Sequence, residues 1–326
     1  MRYAILLGTM CVGLALTAAA DDPREWFLPS DVTPEDDIRE WLPLAEQGDV
    51  KAKLRVGRQY GALDPPNWGE GYGWMLRSAD GGYAPAQVLI GIMCQQDFLD
   101  PLEAAIWFRR AAEQDDAGGQ YMLAGLLARG EGVALDHREA AKWFRKAADQ
   151  GSQSARYEFA KLCTQGLGVP QDYEEAAEWF RRAAEAGDVS SQYELGKLYA
   201  EGRGIPQDDA EAARWFSMAS SEIQTTGFSS EGRAVPADDP TAVAWSRSGG
   251  AGHARAQYEL AKLYEHGRGV PQNKQTAVAL LSKAAEGGEE NAQYALARRY
   301  EDGEGVSRDP FQALLWYRRR PACCML

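Results

Sequence analysis

The sequence predicts an all-α fold, a stack of antiparallel helix pairs, and three observations predict it. Trp107, Trp143, Trp179 and Trp215 stand 36 residues apart, while Trp41, Trp74 and Trp107 stand 33 apart. Around these anchors one text recurs, as AAIWFRRAAEQ, AAKWFRKAADQG and AAEWFRRAAEAG. Upstream of it a second text recurs, as SQYELGKLYAEGRGIPQD, AQYELAKLYEHGRGVPQN and AQYALARRYEDGEGVSRD. Self-similarity at a fixed period of this length is the mark of a repeat architecture, in which each unit buries its apolar face on its neighbours.

Each unit reads as two helices. In the first, Leu195, Leu198 and Tyr199 fall at i, i+3 and i+4 and share one face. Position 196 and its equivalents are always small, as Gly57, Gly91, Ala124, Ala160, Gly196, Ala261 and Ala297. A side chain held to hydrogen or methyl implies a closely packed neighbour. In the second helix, Ala176, Trp179, Phe180, Ala183 and Ala184 form one stripe, alternating bulk with alanine as interlocked helices require. Between the two, Gly202 and Gly204 can take positive φ and stop the first helix, and Pro206 prevents its continuation. Asp208 then caps the second helix, with Glu211 placed to complete a capping box. Asp100/Glu103, Asp136/Glu139 and Asp172/Glu175 repeat that spacing, and Asp309 precedes a proline at the first helical position.

The pattern A-x-x-x-L-[GA]-x-x-Y-x-x-G-x-G-V-x-x-D followed by A-x-x-W-[FY]-x-x-A-A-x-x-G resembles the Sel1-like repeat, a relative of the tetratricopeptide repeat, over residues 36–320. The resemblance implies a right-handed α-solenoid. It predicts a lone second helix at 36–48 and units at 49–82, 84–116, 117–151, 152–187, 188–221, 222–252, 253–288 and 289–320. It also implies a protein-interaction scaffold or regulator that binds a protein or peptide. Cysteine-rich relatives described as penicillin-binding or β-lactamase-like supply the alternative, an enzyme acting on β-lactams or peptidoglycan. Those relatives carry a disulfide in each repeat, and this chain lacks that pairing.

Two stretches depart from the pattern. Trp215 to Trp245 is only 30 residues, and polar text, EIQTTGFSSEGRAV, replaces the first helix of the unit at 222–252. A shortened helix with a bend or hinge is expected at 222–235. The last second helix reads WYRRRPACCML, which leaves that end without the usual polar seal and a tail at 321–326.

The N-terminus reads as a secretory signal over 1–20. Arg2 supplies charge, Ala4 to Ala18 an apolar run, and Ala18-Ala19-Ala20 the small-residue cleavage pattern. A linker at 21–35 follows. The expected location is periplasmic or extracellular, with no stable membrane anchor. With 48 Asp+Glu against 35 Lys+Arg the chain offers no basic surface for nucleic acid, apart from Arg318-Arg319-Arg320. Cys94 and Cys163 occupy the core position of Tyr60, Tyr199, Tyr264 and Tyr300, and read as small hydrophobes. Cys323-Cys324-Met325-Leu326 resembles a prenylation box, which conflicts with secretion.

No catalytic set emerges. The Gly-x-Gly loops follow helices, whereas a phosphate cradle would precede one after a strand. His137, His253 and His266 sit in separate repeats and read as surface histidines, so neither a metal site nor a cofactor is expected. No nucleophile–base–orienter constellation is visible, which argues against an enzyme. The candidate binding residues are Glu158/Lys161, Glu194/Lys197 and Glu259/Lys262. They hold equivalent positions on three first helices, away from the Leu/Tyr face. The expected role is a charged stripe on the concave side of the solenoid.

Overall fold

A computed structural model describes residues 33–63, 65–96, 99–220 and 240–319, with the side chains of 240–252 excepted. The leader expected at 1–20, most of the linker expected at 21–35, the tail at 321–326 and the hinge expected at 222–235 lie outside the described residues. Fifteen helices and no strands occur among the described residues. The chain divides into two compact units, residues 1–170 and 171–326.

The first unit holds α1 (Pro34–Glu46), α2 (Val50–Ala62), α3 (Trp68–Asp80), α4 (Ala84–Gln96), α5 (Pro101–Glu113), α6 (Ala117–Arg129), α7 (His137–Asp149) and α8 (Gln153–Gln165). The second holds α9 (Tyr173–Glu185), α10 (Val189–Glu201), α11 (Asp209–Ser220), α12 (Pro240–His266), α13 (Lys274–Glu286), α14 (Glu290–Asp302) and α15 (Pro310–Arg318). Within each unit, helices that follow one another in sequence pack together, the arrangement of stacked hairpins. Second-helix Phe108, Phe144, Phe180 and Phe216 are buried with their flanking alanines. First-helix Leu123, Leu195 and Leu296 are buried likewise, as are Cys94 and Cys163, both free thiols. The small residue at position 196 has its reason in Phe216, whose ring carbon would lie 2.7 Å from a Cβ placed there.

The connecting loops behave as expected at their start. Gly202 closes α10 in the left-handed conformation, φ 66°, and its N–H bonds the Leu198 carbonyl. Gly204, at φ 71°, has a second task. A Cβ there would stand 2.3 Å from the Tyr173 carbonyl carbon, so the loop rests on the start of the preceding second helix, α9. Spacing assigns both glycines to helix termination and does not reveal this contact.

The caps depart from a capping box in one respect. Asp100, Asp136 and Asp208 accept from the N–H groups of Glu103, Glu139 and Glu211 at 3.0, 2.9 and 3.0 Å. The cap N–H groups are already taken by the preceding helix. Those of Asp136 and Asp208 donate to the Leu127 and Tyr199 carbonyls, each at 3.0 Å. The glutamates are thereby released, and Glu103 and Glu139 accept from indole Nε1 of Trp107 and Trp143 at 3.4 and 3.3 Å.

A buried polar bond recurs within each unit. Gln87, Gln192 and Gln293 donate to the carbonyls of Ala79, Ala184 and Ala285, near the end of the preceding second helix, at 3.1, 3.1 and 3.2 Å. Arg156 replaces glutamine in its repeat and bonds the Ala148 carbonyl at 3.2 Å. These bonds supply partners that the ends of helices otherwise lack.

Helix α12 runs unbroken through the junction at 252/253, so the repeat expected to begin at 253 starts within a helix rather than at a cap. At that junction His253 stands where Asp49, Asp116, Ser152 and Asp188 each cap a new first helix, so the signal to start one is missing. His137 and His253 are half-buried rather than on the surface, and only His266 is exposed. The carbonyl of His137 lies beneath Gly168 of the next loop.

Candidate interaction surface

The six residues expected to form a stripe pair locally in the structure. Lys161 Nζ lies 3.0 Å from Glu158 on α8. Lys197 lies 2.8 Å from Glu194 on α10, and Lys262 2.8 Å from Glu259 on α12. Each pair spans three residues of one helix, which brings the side chains together on one face. Each is partly exposed, so each contributes only about 0.3–0.5 kcal/mol to helix stability.

The structure adds a third member that spacing does not single out. Each lysine lies over the tyrosine four residues before it. Lys161 is 5.1 Å from the Tyr157 ring centre, Lys197 5.3 Å from Tyr193, and Lys262 5.5 Å from Tyr258. Ammonium over an aromatic face is an attractive placement. The signal is present as Tyr-Glu-x-x-Lys in RYEFAK, QYELGK and QYELAK, but the Leu/Tyr face that marks the helix contains a different tyrosine.

Within the second unit the module continues from one first helix to another. The Tyr193 hydroxyl is pushed up to about 12, by burial first and then by Glu259 and Glu194, with Arg255 opposing. Its ring also tilts onto Phe216 at 5.9 Å, which ties the surface to the core. Tyr258 is raised in the same way, by burial foremost. In the first unit Tyr121 on α6 repeats the relationship. Burial raises it most, Glu158 of α8 adds to that, and its ring meets Phe144 at 5.8 Å.

Each lysine is neutralised by its own glutamate, so the module carries little net charge. It presents half-buried tyrosines and paired, exchangeable charges at the period of the repeat. Within the second unit such a face suits an extended partner that contacts successive first helices. Among the described residues no group of three or more His, Cys, Asp or Glu could hold a metal ion. Nor is any described helix long and apolar enough to cross a membrane.

The comparisons accord with this architecture. The Sel1 repeat model matches residues 50–83, 84–116, 117–152, 154–188, 189–222, 254–289 and 291–319. The matches leave 223–253 uncovered, where the degenerate unit is expected. Among solved structures, the chain is similar to a protective antigen present in uropathogenic Escherichia coli strains that displays an SLR fold. The identity is 30% and the TM-score 0.71, over 86% of this chain and 55% of that one. The chain therefore spans little more than half the length of that relative. It is also similar to a Sel1 repeat protein from Oxalobacter formigenes, at 23% identity and TM-score 0.61, over 89% of this chain and 99% of that one, a likeness of fold. Comparison with curated proteins found no match.

Proposed function

Because this chain belongs to the Sel1 repeat family, whose repeats mediate protein–protein interactions, we propose that it is a scaffold that grips an extended segment of a protein partner along its first helices. The repeated tyrosine–glutamate–lysine module carries the reading. Glu194, Lys197, Glu259 and Lys262 of the second unit are its contact residues, and Glu158 and Lys161 present the same module in the first unit. The tyrosine rings supply rigid contact area, and the ion pairs supply hydrogen-bonding groups that can exchange partners. The partner meets this face from the periplasm or from outside the cell. The charge, apolar run and small-residue end at residues 1–20 support that location.

The test is crosslinking in cells from positions 197 and 262, with the second-helix position 182 as control, followed by mass spectrometry. One partner captured in stoichiometric amount from the first-helix positions, and not from 182, is the expected result. Capture of nothing from either face, together with nitrocefin hydrolysis or penicillin labelling by the purified protein, would replace the scaffold with an enzyme.

A further inference from the structure

Two second helices carry exposed large apolar side chains at positions that other repeats fill with charged, polar or small residues. On α5, Leu102 and Ile106 lie one turn apart and are 61% and 48% exposed. The following repeats have Arg138/Lys142 and Glu174/Glu178 there. Exposed Leu135 adds to this region, on a loop whose Gly132 rests on the Pro101 backbone at the start of α5. On α15 the same two positions are Phe311 and Leu315, 68% and 40% exposed. Leu314 beside them is exposed, whereas its equivalents Ala141 and Ala177 are buried.

The stripes differ in their rims. Exposed Asp100, Glu103 and Glu113 flank the first, accompanied by Arg110 and by Arg109, whose charge is paired with Glu139 at 2.8 Å. Exposed Arg308, Arg318 and Arg319 flank the second. Contact of either stripe with its own copy would set like charges together, whereas contact between unlike stripes sets opposite charges together. We propose that α15 of one copy docks on the α5 stripe of a second copy, burying Phe311 and Leu315 against Leu102 and Ile106. Such a contact is head-to-tail and leaves one stripe free at each end, so assembly grows with concentration. It goes beyond the scaffold reading and uses second helices rather than first.

Sedimentation velocity of the purified full chain over a wide concentration range tests it. The expected result is reversible association that weakens as salt rises. Leu102→Glu/Ile106→Glu and Phe311→Glu/Leu315→Glu should each weaken self-association at least about tenfold, with helical circular dichroism unchanged. Mixed in equal amounts they should form a one-to-one dimer, since each retains one intact stripe. A parent that stays monomeric overturns the proposal. So does a single variant that associates as the parent does, or a mixture that fails to pair. If the glutamate variants lose helicity, Glu113→Arg and Arg318→Glu serve instead. Each should weaken association alone, and the mixture should recover it; equal weakening in the mixture would overturn the proposal.

Discussion

Arg55 on α2 grips the carboxylate of Asp37 on α1 with both ends of its guanidinium, Nη2 at 2.6 Å and Nε at 2.9 and 3.0 Å. Asp37 is only 1% exposed, while Arg55 is 29% exposed and lies over the Trp41 ring at 4.4 Å. One side chain therefore fastens the first helix by charge, by a forked hydrogen bond and by stacking. Removing one member of a buried pair leaves the other charge without compensation. Arg55→Met should destabilise the α1–α2 junction by about 3 kcal/mol, the lower end of the range for buried pairs because Arg55 keeps some contact with water. Hydrogen exchange should show early opening of α1, with later helices protected as in the parent. Unchanged protection in α1 would mean the pair is not what holds it.

Helix α2 meets α3 through two glycines. A Cβ on Gly57 would stand 2.7 Å from the Gly71 carbonyl oxygen and 2.9 Å from the Met75 nitrogen, both main-chain atoms that cannot swing aside. Gly57→Ala should therefore cost about 1–3 kcal/mol through overpacking, more than the gain of up to about 1 kcal/mol in helix propensity. Gly73, on the same α3, has nothing within 4 Å of such a Cβ. Gly73→Ala should stabilise by about 0.5–1 kcal/mol. Chemical denaturation of the two variants should move the midpoint in opposite directions, and movement in the same direction would contradict the packing argument.

The restriction of position 57 and its equivalents to Gly or Ala is legible in the sequence, because a period-locked demand for small residues has few causes besides close packing. The helix pairs, the loop glycines and the Asp caps are legible for the same reason: each is a local signal repeated many times. What escapes the sequence are features that depend on which group a side chain finds already occupied. Glu139 fits a capping box by spacing, yet the N–H it would reach bonds the Leu127 carbonyl, and the glutamate turns to Trp143. The role of Gln192 also depends on its neighbour, since the Ala184 carbonyl it satisfies belongs to another helix. Arg156 performs that role with different chemistry, which hides it from residue-by-residue matching of the repeats. Spacing is enough to pair Glu194 with Lys197, but the tyrosine beneath the lysine comes into view only through the geometry of the helix. Periodicity places a repeat start at 253, where the family match also begins one at 254, but it does not reveal that α12 continues through the junction.

Tyr193 links the candidate surface to stability at high pH. Its hydroxyl ordinarily titrates near 10 and is pushed up to about 12 in the folded chain, chiefly by burial and then by Glu259 and Glu194. A raised value means the folded state holds this proton more tightly than the unfolded chain does. The associated stability is fully present below pH 10 and is lost as pH rises from 10 towards 12. Tyr193→Phe keeps the ring against Phe216 and removes the titration. The parent melting temperature should fall more steeply than that of the variant between pH 10 and 12, and the two should run parallel below about pH 9. Spectrophotometric titration near 295 nm should show one tyrosinate fewer in the variant, missing from the late end of the curve. Parallel melting curves throughout would mean that Tyr193 ionises without cost, and that the acidic groups around it are too far off or too well hydrated to matter.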